Sequence, residues 1–294
     1  MADAIGNKAA KEYYLDIKAP DQGFFVSGLG NTDWGMKNRL SRIFSPKSGN
    51  TLMLAFDHGY MMGSTSGLER LDVTIAPLCE HVDVLMGTRG AIRSCIPPTL
   101  NKAVCLRATH DTSVLFDDMS TGNGFALDFE DAMRMNASAL AIQCFVGAQG
   151  ERDSLETLCR AVDQGYRYGV PIMGVVAVGK QMERTTKYFL LATRILAELG
   201  ASLVKTYYCD DFENVVSACP VPIVIAGGKK LPEKDALTMA YDALKKGARG
   251  VDMGRNIFQS EHPVAMCKAV SKVVHEGFTG AEAYEFYLDL INSK

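Results

Sequence analysis

One lysine in this sequence stands where a lysine is hard to keep. Lys205 interrupts an apolar run, Ser202-Leu203-Val204-Lys205-Thr206-Tyr207-Tyr208, of the kind that forms a buried strand. An ammonium ion taken out of water without a partner is costly. The same burial has a chemical use: desolvation and nearby cations lower an amine's pKa, and a free amine attacks a carbonyl. Moving a lysine from about 10.4 to near 7 takes roughly 4–5 kcal/mol of differential interaction, within what burial supplies. Lys205 is therefore the candidate Schiff-base nucleophile for a small ketone. The competing reading is a structural lysine paired with a carboxylate such as Asp57. Lys180, Lys229 and Lys230 are rival nucleophiles, but each follows its apolar run in a polar setting, where a solvated lysine is expected.

Four further groups accompany it. Asp57 follows Leu54-Ala55-Phe56 and precedes His58-Gly59; it suits a proton carrier or an acceptor for a substrate hydroxyl. A loop aspartate capping the next turn is the plainer reading. His58 fits a binding role or a satisfied loop residue. Gly227-Gly228 and Gly254-Arg255 each close an apolar run. Glycine lets backbone N–H groups approach phosphate oxygens, and arginine adds a bidentate charge. Tight turns that need positive φ are the alternative for both pairs.

Positioning these residues requires a scaffold, and the sequence alternates regularly. Eight short apolar segments recur: Thr51–Phe56, Val82–Met86, Ala103–Leu106, Ala139–Val146, Val170–Val178, Ala201–Tyr207, Val221–Ala226 and Gly250–Met253. Near-continuous hydrophobicity marks strands buried on both faces. Helical stripes lie between them. Leu155, Leu158, Cys159 and Val162 follow the i, i+3, i+4, i+7 rule, with Asp153 expected as cap, Glu156 as its capping-box partner and Gly165 past the end. Tyr188 to Leu199 forms a second stripe stopped by Gly200, and Leu237 to Leu244 a third, between Pro232 and Gly247. The span 91–130 is the least regular. Eight strand–helix repeats in a chain of 294 residues predict an α/β fold of the TIM (β/α)8 barrel type, which needs about 250 residues. A doubly wound open sheet competes, but no G-x-G-x-x-G follows the first strand. The predicted organisation is an N-terminal arm over 1–48 and a catalytic barrel over 49–294 that ends in an extra amphipathic helix (Tyr284, Tyr287, Leu288, Ile291). In such barrels the chemistry gathers at the C-terminal ends of strands, and the loops after strands seven and eight commonly hold phosphate. The two glycine pairs fall at those two loops. Asp252, on strand eight, is expected to orient its loop.

Bulk properties narrow the function. The net charge of −3 speaks against a nucleic-acid or anionic-membrane surface, and no run approaches the roughly 18 apolar residues of a membrane span. Residues 1–19 have no continuous apolar core, so a secretory signal is not expected and a cytoplasmic address is. The eight cysteines lack any CxxC pairing, which predicts buried free thiols and no metal cluster.

Ala55-Phe56-Asp57-His58-Gly59, Val204-Lys205-Thr206, Ala226-Gly227-Gly228-Lys229 and Gly254-Arg255-Asn256-Ile257-Phe258-Gln259 resemble the archaeal-type class I aldolases, the DhnA-like family. From Asp33-Trp34-Gly35-Met36 onward, through Leu40–Phe44, Leu68-Glu69-Arg70, Lys205-Thr206-Tyr207-Tyr208 and Cys219–Pro232, the chain is more similar still to the autoinducer-2 thiolase branch of that family. The resemblance implies a Schiff base at Lys205, with phosphate near Gly227, Gly228, Gly254 and Arg255. It implies acetyl transfer from a phosphorylated pentanedione to coenzyme A as co-substrate, giving acetyl-CoA and dihydroxyacetone phosphate, with no bound cofactor. It also implies a homo-oligomer, since members of the wider family form large rings, often decamers. Related aldolases commonly carry a proton-exchanging tyrosine near the end of strand five. Here that strand reads Met173-Gly174-Val175-Val176-Ala177-Val178-Gly179-Lys180, which speaks against ordinary sugar-phosphate aldol cleavage. The alternatives are a class I ketose-phosphate aldolase and a non-catalytic sugar-phosphate sensor on the same barrel.

Overall fold

The computed structural model describes residues 23–179 and 182–293. Eight parallel strands close into a barrel in which each neighbours the next in sequence, and the last pairs with the first. They are β1 (Thr51–Ala55), β2 (Val84–Gly87), β3 (Ala103–Arg107), β4 (Ala139–Cys144), β5 (Ile172–Val176), β6 (Leu203–Tyr207), β7 (Ile223–Ala226) and β8 (Gly250–Met253). The predicted fold class is the one observed, and each of the eight apolar segments overlaps a strand, β2 and β3 running one residue past theirs to Gly87 and Arg107. Several strands are shorter than their apolar runs. Beyond Val176, for instance, the backbone leaves the sheet and Ala177, Val178 and Gly179 line the mouth of the barrel.

The strands are buried along nearly their whole length because both faces are covered. One face packs on the surrounding helices, with Leu54, Leu106, Leu140, Ile142, Val204, Ile225 and Val251 in one cluster. The other faces the barrel axis, where Met53, Val84, Cys105, Ala141, Met173, Leu203 and Val224 form a second cluster. Helix α1 (Trp34–Ile43) joins this inner cluster through Met36, Leu40 and Ile43. It is capped by Asp33, whose side chain accepts from the Met36 N–H at 2.9 Å. Arg39 donates to the carbonyls of Ala137 and Gly169, just ahead of β4 and β5. The helix therefore closes the N-terminal end of the barrel. The proposed polar arm is only partly polar: its described part supplies a buried plug, and residues 1–22 lie outside the described residues.

The remaining helices used below are α2 (Arg89–Cys95), α3 (Phe129–Arg134), α4 (Glu151–Tyr168), α5 (Thr186–Glu198), α6 (Phe212–Ala218), α7 (Glu233–Lys245), α8 (Arg255–Phe258), α9 (Pro263–Glu276) and α10 (Gly280–Asn292). The expected final helix is α10; a capping box between Thr279 and Glu282 starts it, and it packs on α7 and α9. The expected limits of α4 are wrong at both ends. The helix begins at Glu151 behind Gly150, so Asp153 lies in its first turn and caps nothing. Glu151 and Asp153 there favour the helix electrostatically. Gly165 lies inside the helix, which ends at Gly169 with φ 66°. A Cβ on Gly165 would lie 2.6 Å from the Val170 carbonyl oxygen, so close packing, and not termination, calls for glycine there. In the irregular span 91–130, α2 and α3 are short, and the loop between β3 and α3 folds back through a small hairpin that pairs Thr109–His110 with Gly124–Phe125. No helix among the described residues is long and apolar enough to cross a membrane.

Gly165→Val should lower the unfolding free energy by about 1–3 kcal/mol through overpacking. Urea unfolding followed by far-UV circular dichroism measures this, and an unchanged midpoint would contradict the packing argument.

Candidate active site

A cavity of about 290 Å³ opens at the C-terminal end of the barrel. All seven residues singled out from the sequence, Lys205, Asp57, His58, Gly227, Gly228, Gly254 and Arg255, line it. Among the described residues, Lys205 is the lysine of that lining. Lys229 is exposed, Lys230 is tied to Glu233 at 2.8 Å, and Lys180 lies outside the described residues.

Lys205 points inward from β6 and is 9% exposed. Its Nζ lies 2.8 Å from Asp252 Oδ2 and 3.4 Å from the Met86 thioether sulfur. Strand geometry explains the meeting. Lys205 sits on β6 and Asp252 on β8, and alternate strands of a (β/α)8 barrel contribute to one inward layer. Asp252 thus departs from its expected role: it contacts the amine directly. The electrostatics also depart from expectation. Burial alone would lower the Lys205 pKa, but Asp252 and then Asp57 outweigh it, and the ammonium is favoured. Burial meanwhile pushes the Asp252 carboxyl up while Lys205 pulls it down. These tendencies conflict, since a raised carboxyl holds its partner less firmly. The 2.8 Å contact and the second carboxylate at Asp57 decide for the charged pair. The sequence suggested neighbouring cations that would discharge Lys205, whereas the neighbours that matter most are anions.

Asp57, just past β1, is buried and belongs to a polar network beside this pair. Arg107, at the end of β3, donates through Nη1 to Asp57 Oδ2 at 3.0 Å. Its Nη2 reaches Tyr60 Oη at 2.8 Å, Asp111 Oδ2 and Gln143 Oε1, and its Nε reaches Thr109 Oγ1 at 3.1 Å. Tyr60 also donates to Asp111, and Asn123 donates to the other Asp111 oxygen at 2.6 Å. Burial works against an ionised Asp57, but His58, Arg107 and Lys205 together hold it well below the ordinary carboxylate range. A carboxyl so firmly ionised is a hydrogen-bond acceptor and a poor proton donor at neutral pH. Of the two expected roles for Asp57, this chemistry favours orienting a hydroxyl. His58 Nδ1 lies 3.8 Å from Asp57 Oδ1, and its ring stacks on Phe258 at 5.7 Å.

The glycine pairs sit in the loops after β7 and β8. Gly228 has φ 68°, and a Cβ on Gly254 would fall 2.3 Å from the Ala55 carbonyl oxygen. Glycine is thus needed at both positions for backbone reasons, and the same absence of side chains leaves the wall open to a ligand. Asn256 ties the two loops, donating to Gly227 O at 2.6 Å and accepting from Leu231 N at 2.8 Å. Arg184, ahead of α5, stacks on Tyr207 at 3.9 Å beside Gly228.

Other groups near strand ends lie elsewhere. Arg89 turns to Asp131, away from the cavity. Cys209 is half-buried, absent from the cavity lining, and pushed up by burial. Cys105, deep in the barrel beside the charged pair, is raised well above its ordinary range, as is Cys144. Among the described residues no cluster of three histidine, cysteine, aspartate or glutamate side chains is placed to hold a metal. Sequence reasoning missed the hub role of Arg107 and its partners Tyr60, Asp111 and Asn123. Asp252 had a readable signal, because a carboxylate inside the apolar Gly250–Met253 run is as anomalous as Lys205 in its own strand.

Two outcomes follow from these charges. Arg107→Met should cost about 3–5 kcal/mol at pH 7, because it strands buried carboxylates. Asp57 has its folded pKa depressed, so its stabilising contribution is complete above the ordinary carboxylate value of about 4 and fades as the pH falls through the folded one. The gap between wild type and variant in urea unfolding should be flat above about pH 5 and narrow below about pH 4. Asp252→Asn should remove the largest influence that raises Lys205, letting burial lower the amine's midpoint. The pH dependence of Lys205 reductive methylation, read by peptide mass spectrometry, checks it; an unmoved midpoint would dissolve the pairing argument.

Known proteins place this arrangement in context. An uncharacterized aldolase of Pasteurella multocida is 54% identical over 290 residues, covering 98% of this chain and 99% of that one. The 3-hydroxy-5-phosphonooxypentane-2,4-dione thiolase of Photorhabdus laumondii is 54% identical over 289 residues, with the same coverage, and the enzyme of that name from Escherichia coli K12 is 53% identical. Among solved structures, an archaeal fructose 1,6-bisphosphate aldolase superposes with a TM-score of 0.73 at 24% identity, over 82% of this chain and 100% of that one. A fructose-bisphosphate aldolase from Slackia heliotrinireducens gives 0.76 at 19% identity, over 87% and 90%. These two bear on the fold alone. Residues 51–260 match the model of the DeoC/LacD family aldolases, a span that holds every strand of the barrel and all seven of the residues first singled out, and the chain belongs to that family.

Proposed function

We propose that this chain is a Schiff-base acyltransferase that moves an acetyl group from 3-hydroxy-5-phosphonooxypentane-2,4-dione to coenzyme A, giving acetyl-CoA and dihydroxyacetone phosphate. One observation carries the Schiff-base part: the Lys205 amine, 2.8 Å from a carboxylate, faces a cavity walled by two glycine loops of the kind that bind phosphate. The choice of reaction is supported by the names of relatives that match 98% of the chain. It is also supported by the wall at β5, where Val175, Val176, Ala177 and Val178 stand in place of a proton-exchanging tyrosine.

The reading assigns a task to each group. The backbone of Gly227, Gly228 and Gly254, with Arg255, holds the phosphate and fixes the ketone over Lys205. Asp252 takes the ammonium proton, and the amine adds to the carbonyl next to the phosphate-bearing carbon. Asp252 then returns the proton to the departing hydroxyl, which leaves as water, and an iminium remains. Asp57, kept ionised by Arg107 and His58, accepts a hydrogen bond from the substrate's hydroxyl. The coenzyme A thiol gives up its proton to solvent, and its sulfur adds to the acetyl carbonyl. When that tetrahedral centre collapses, the C–C bond breaks, its electron pair neutralises the iminium as an enamine, and the acetyl group departs as a thioester. Protonation of the enamine and hydrolysis release dihydroxyacetone phosphate and free Lys205. The iminium supplies the electron sink and the phosphate grip holds the reacting carbons in place. No cysteine nucleophile is assigned, since among the described residues no cysteine lines the cavity and burial raises the pKa of Cys105 and Cys144.

Borohydride added with dihydroxyacetone phosphate should trap an adduct on the Lys205 peptide, and Lys205→Ala should lose both the adduct and turnover. Acetyl-CoA should appear from the phosphorylated dione only when coenzyme A is present. An adduct on another lysine would refute the Schiff-base assignment, and cleavage of the dione to acetate that proceeds equally without coenzyme A would make water the acyl acceptor and the protein a hydrolase.

A further inference from the structure

We infer that the thiol arm of the acyl acceptor reaches Lys205 through a slot between the loops that follow β3, β4 and β5, across the mouth from the phosphate grip. The inference rests on the acetyl-transfer reading above and assigns that reading a second binding site.

The barrel order fixes the directions. Strands run round the ring in sequence, so the loops after β7 and β8 stand opposite those after β3 and β4, with β6 and Lys205 on one side between them. A ketone gripped by its phosphate at β7 and β8 and bonded to Lys205 projects its far end away from the grip. Its acyl carbon therefore faces the wall built by the loops after β3, β4 and β5. Met119, Phe145 and Val178 give that wall apolar surface beside the polar Asp118, Ser120 and Gln143. An attacking sulfur has to approach from this side.

A second cavity of about 490 Å³ opens there. It shares Asp118 and Gly179 with the main cavity and is otherwise lined by Asp117, Gly147, Ala148, Gln149 and Met182. A Cβ on Gly147 would lie 2.7 Å from the Met182 sulfur, and one on Gly179 would lie 3.0 Å from the Ala148 Cβ, so these wall residues pack directly on one another. Small residues at 147, 148 and 179 put no bulky side chain into the adjoining cavity, which suits an extended, unbranched chain. Gln149 is exposed and offers an amide donor and acceptor to amides on that chain, and Met182 offers a flexible, polarisable surface. A linear thiol-tipped chain with internal amides, the reactive end of coenzyme A, matches these features. A branched, polyhydroxylated aldehyde does not.

The test uses the full-length protein with the phosphorylated dione. Ala148→Phe and Gln149→Trp narrow the slot from two positions. Each should raise KM for coenzyme A by about tenfold or more, equivalent to about 1.4 kcal/mol of binding free energy, while borohydride trapping of dihydroxyacetone phosphate at Lys205 keeps its wild-type yield. Hydrogen exchange on the wild type, which needs no variant to fold, should slow across 145–150 when coenzyme A is added. Unchanged KM in both variants, or unprotected exchange in that segment, overturns the slot and leaves acetyl transfer intact. Absence of any coenzyme A-dependent product from the wild type overturns the reaction itself.

Discussion

The mouth of this barrel confines two cations, Lys205 and Arg107, with three carboxylates, Asp57, Asp111 and Asp252, in a space that excludes most water. Each charge alone would cost several kcal/mol to bury. They persist because each lies against an opposite charge. Asp252 holds Lys205, Arg107 holds Asp57 and Asp111 together, and Asp57 acts at a distance on Lys205 as well. The ends of β1, β3, β6 and β8 must therefore stay in register for the set to be tolerable at all. The site is thereby a constraint on the fold as much as a product of it.

This balance also bears on how an ammonium becomes a nucleophile. A lysine permanently discharged by burial would be reactive but unpartnered. Here the amine is stored as an ion pair, and its proton has a carboxylate to go to at 2.8 Å. The firmly ionised Asp57 and the burial-raised Asp252 differ although both are aspartates in one cavity. The hydrogen bond from His58 and the charge of Arg107 account for the difference, since both bear on Asp57 and neither bears on Asp252. Divergent environments of this sort fit the roles proposed above, Asp57 to orient a hydroxyl and Asp252 to move a proton.

The architecture was legible in the sequence because a buried parallel strand reads as an uninterrupted apolar run, and eight such runs left little freedom. Lys205 and the two glycine pairs were legible because each breaks a run or ends it. Arg107 and Gln143 were visible at strand ends, but nothing in their local sequence tells which partners the barrel brings to them. Tyr60, Asp111 and Asn123 lie in loops and meet only through closure of the ring. The sign of the shift at Lys205 escapes the sequence for the same reason. The charge balance there depends on Asp252, 47 positions away, and on Asp57, and a strand pattern carries no such information. The limits of α4 failed differently: Gly165 looks like a stop in one dimension and is a packing contact in three.

The plug formed by α1 has a last consequence. With Met36, Leu40 and Ile43 sealing the lower end, the cylinder is a well with one rim. In the proposed reaction, water expelled during imine formation, water needed later to hydrolyse the adduct, and both organic products would all cross that same rim. Traffic is therefore shared, and whatever occupies the opening at a given moment also decides whether solvent can reach the intermediate beneath it.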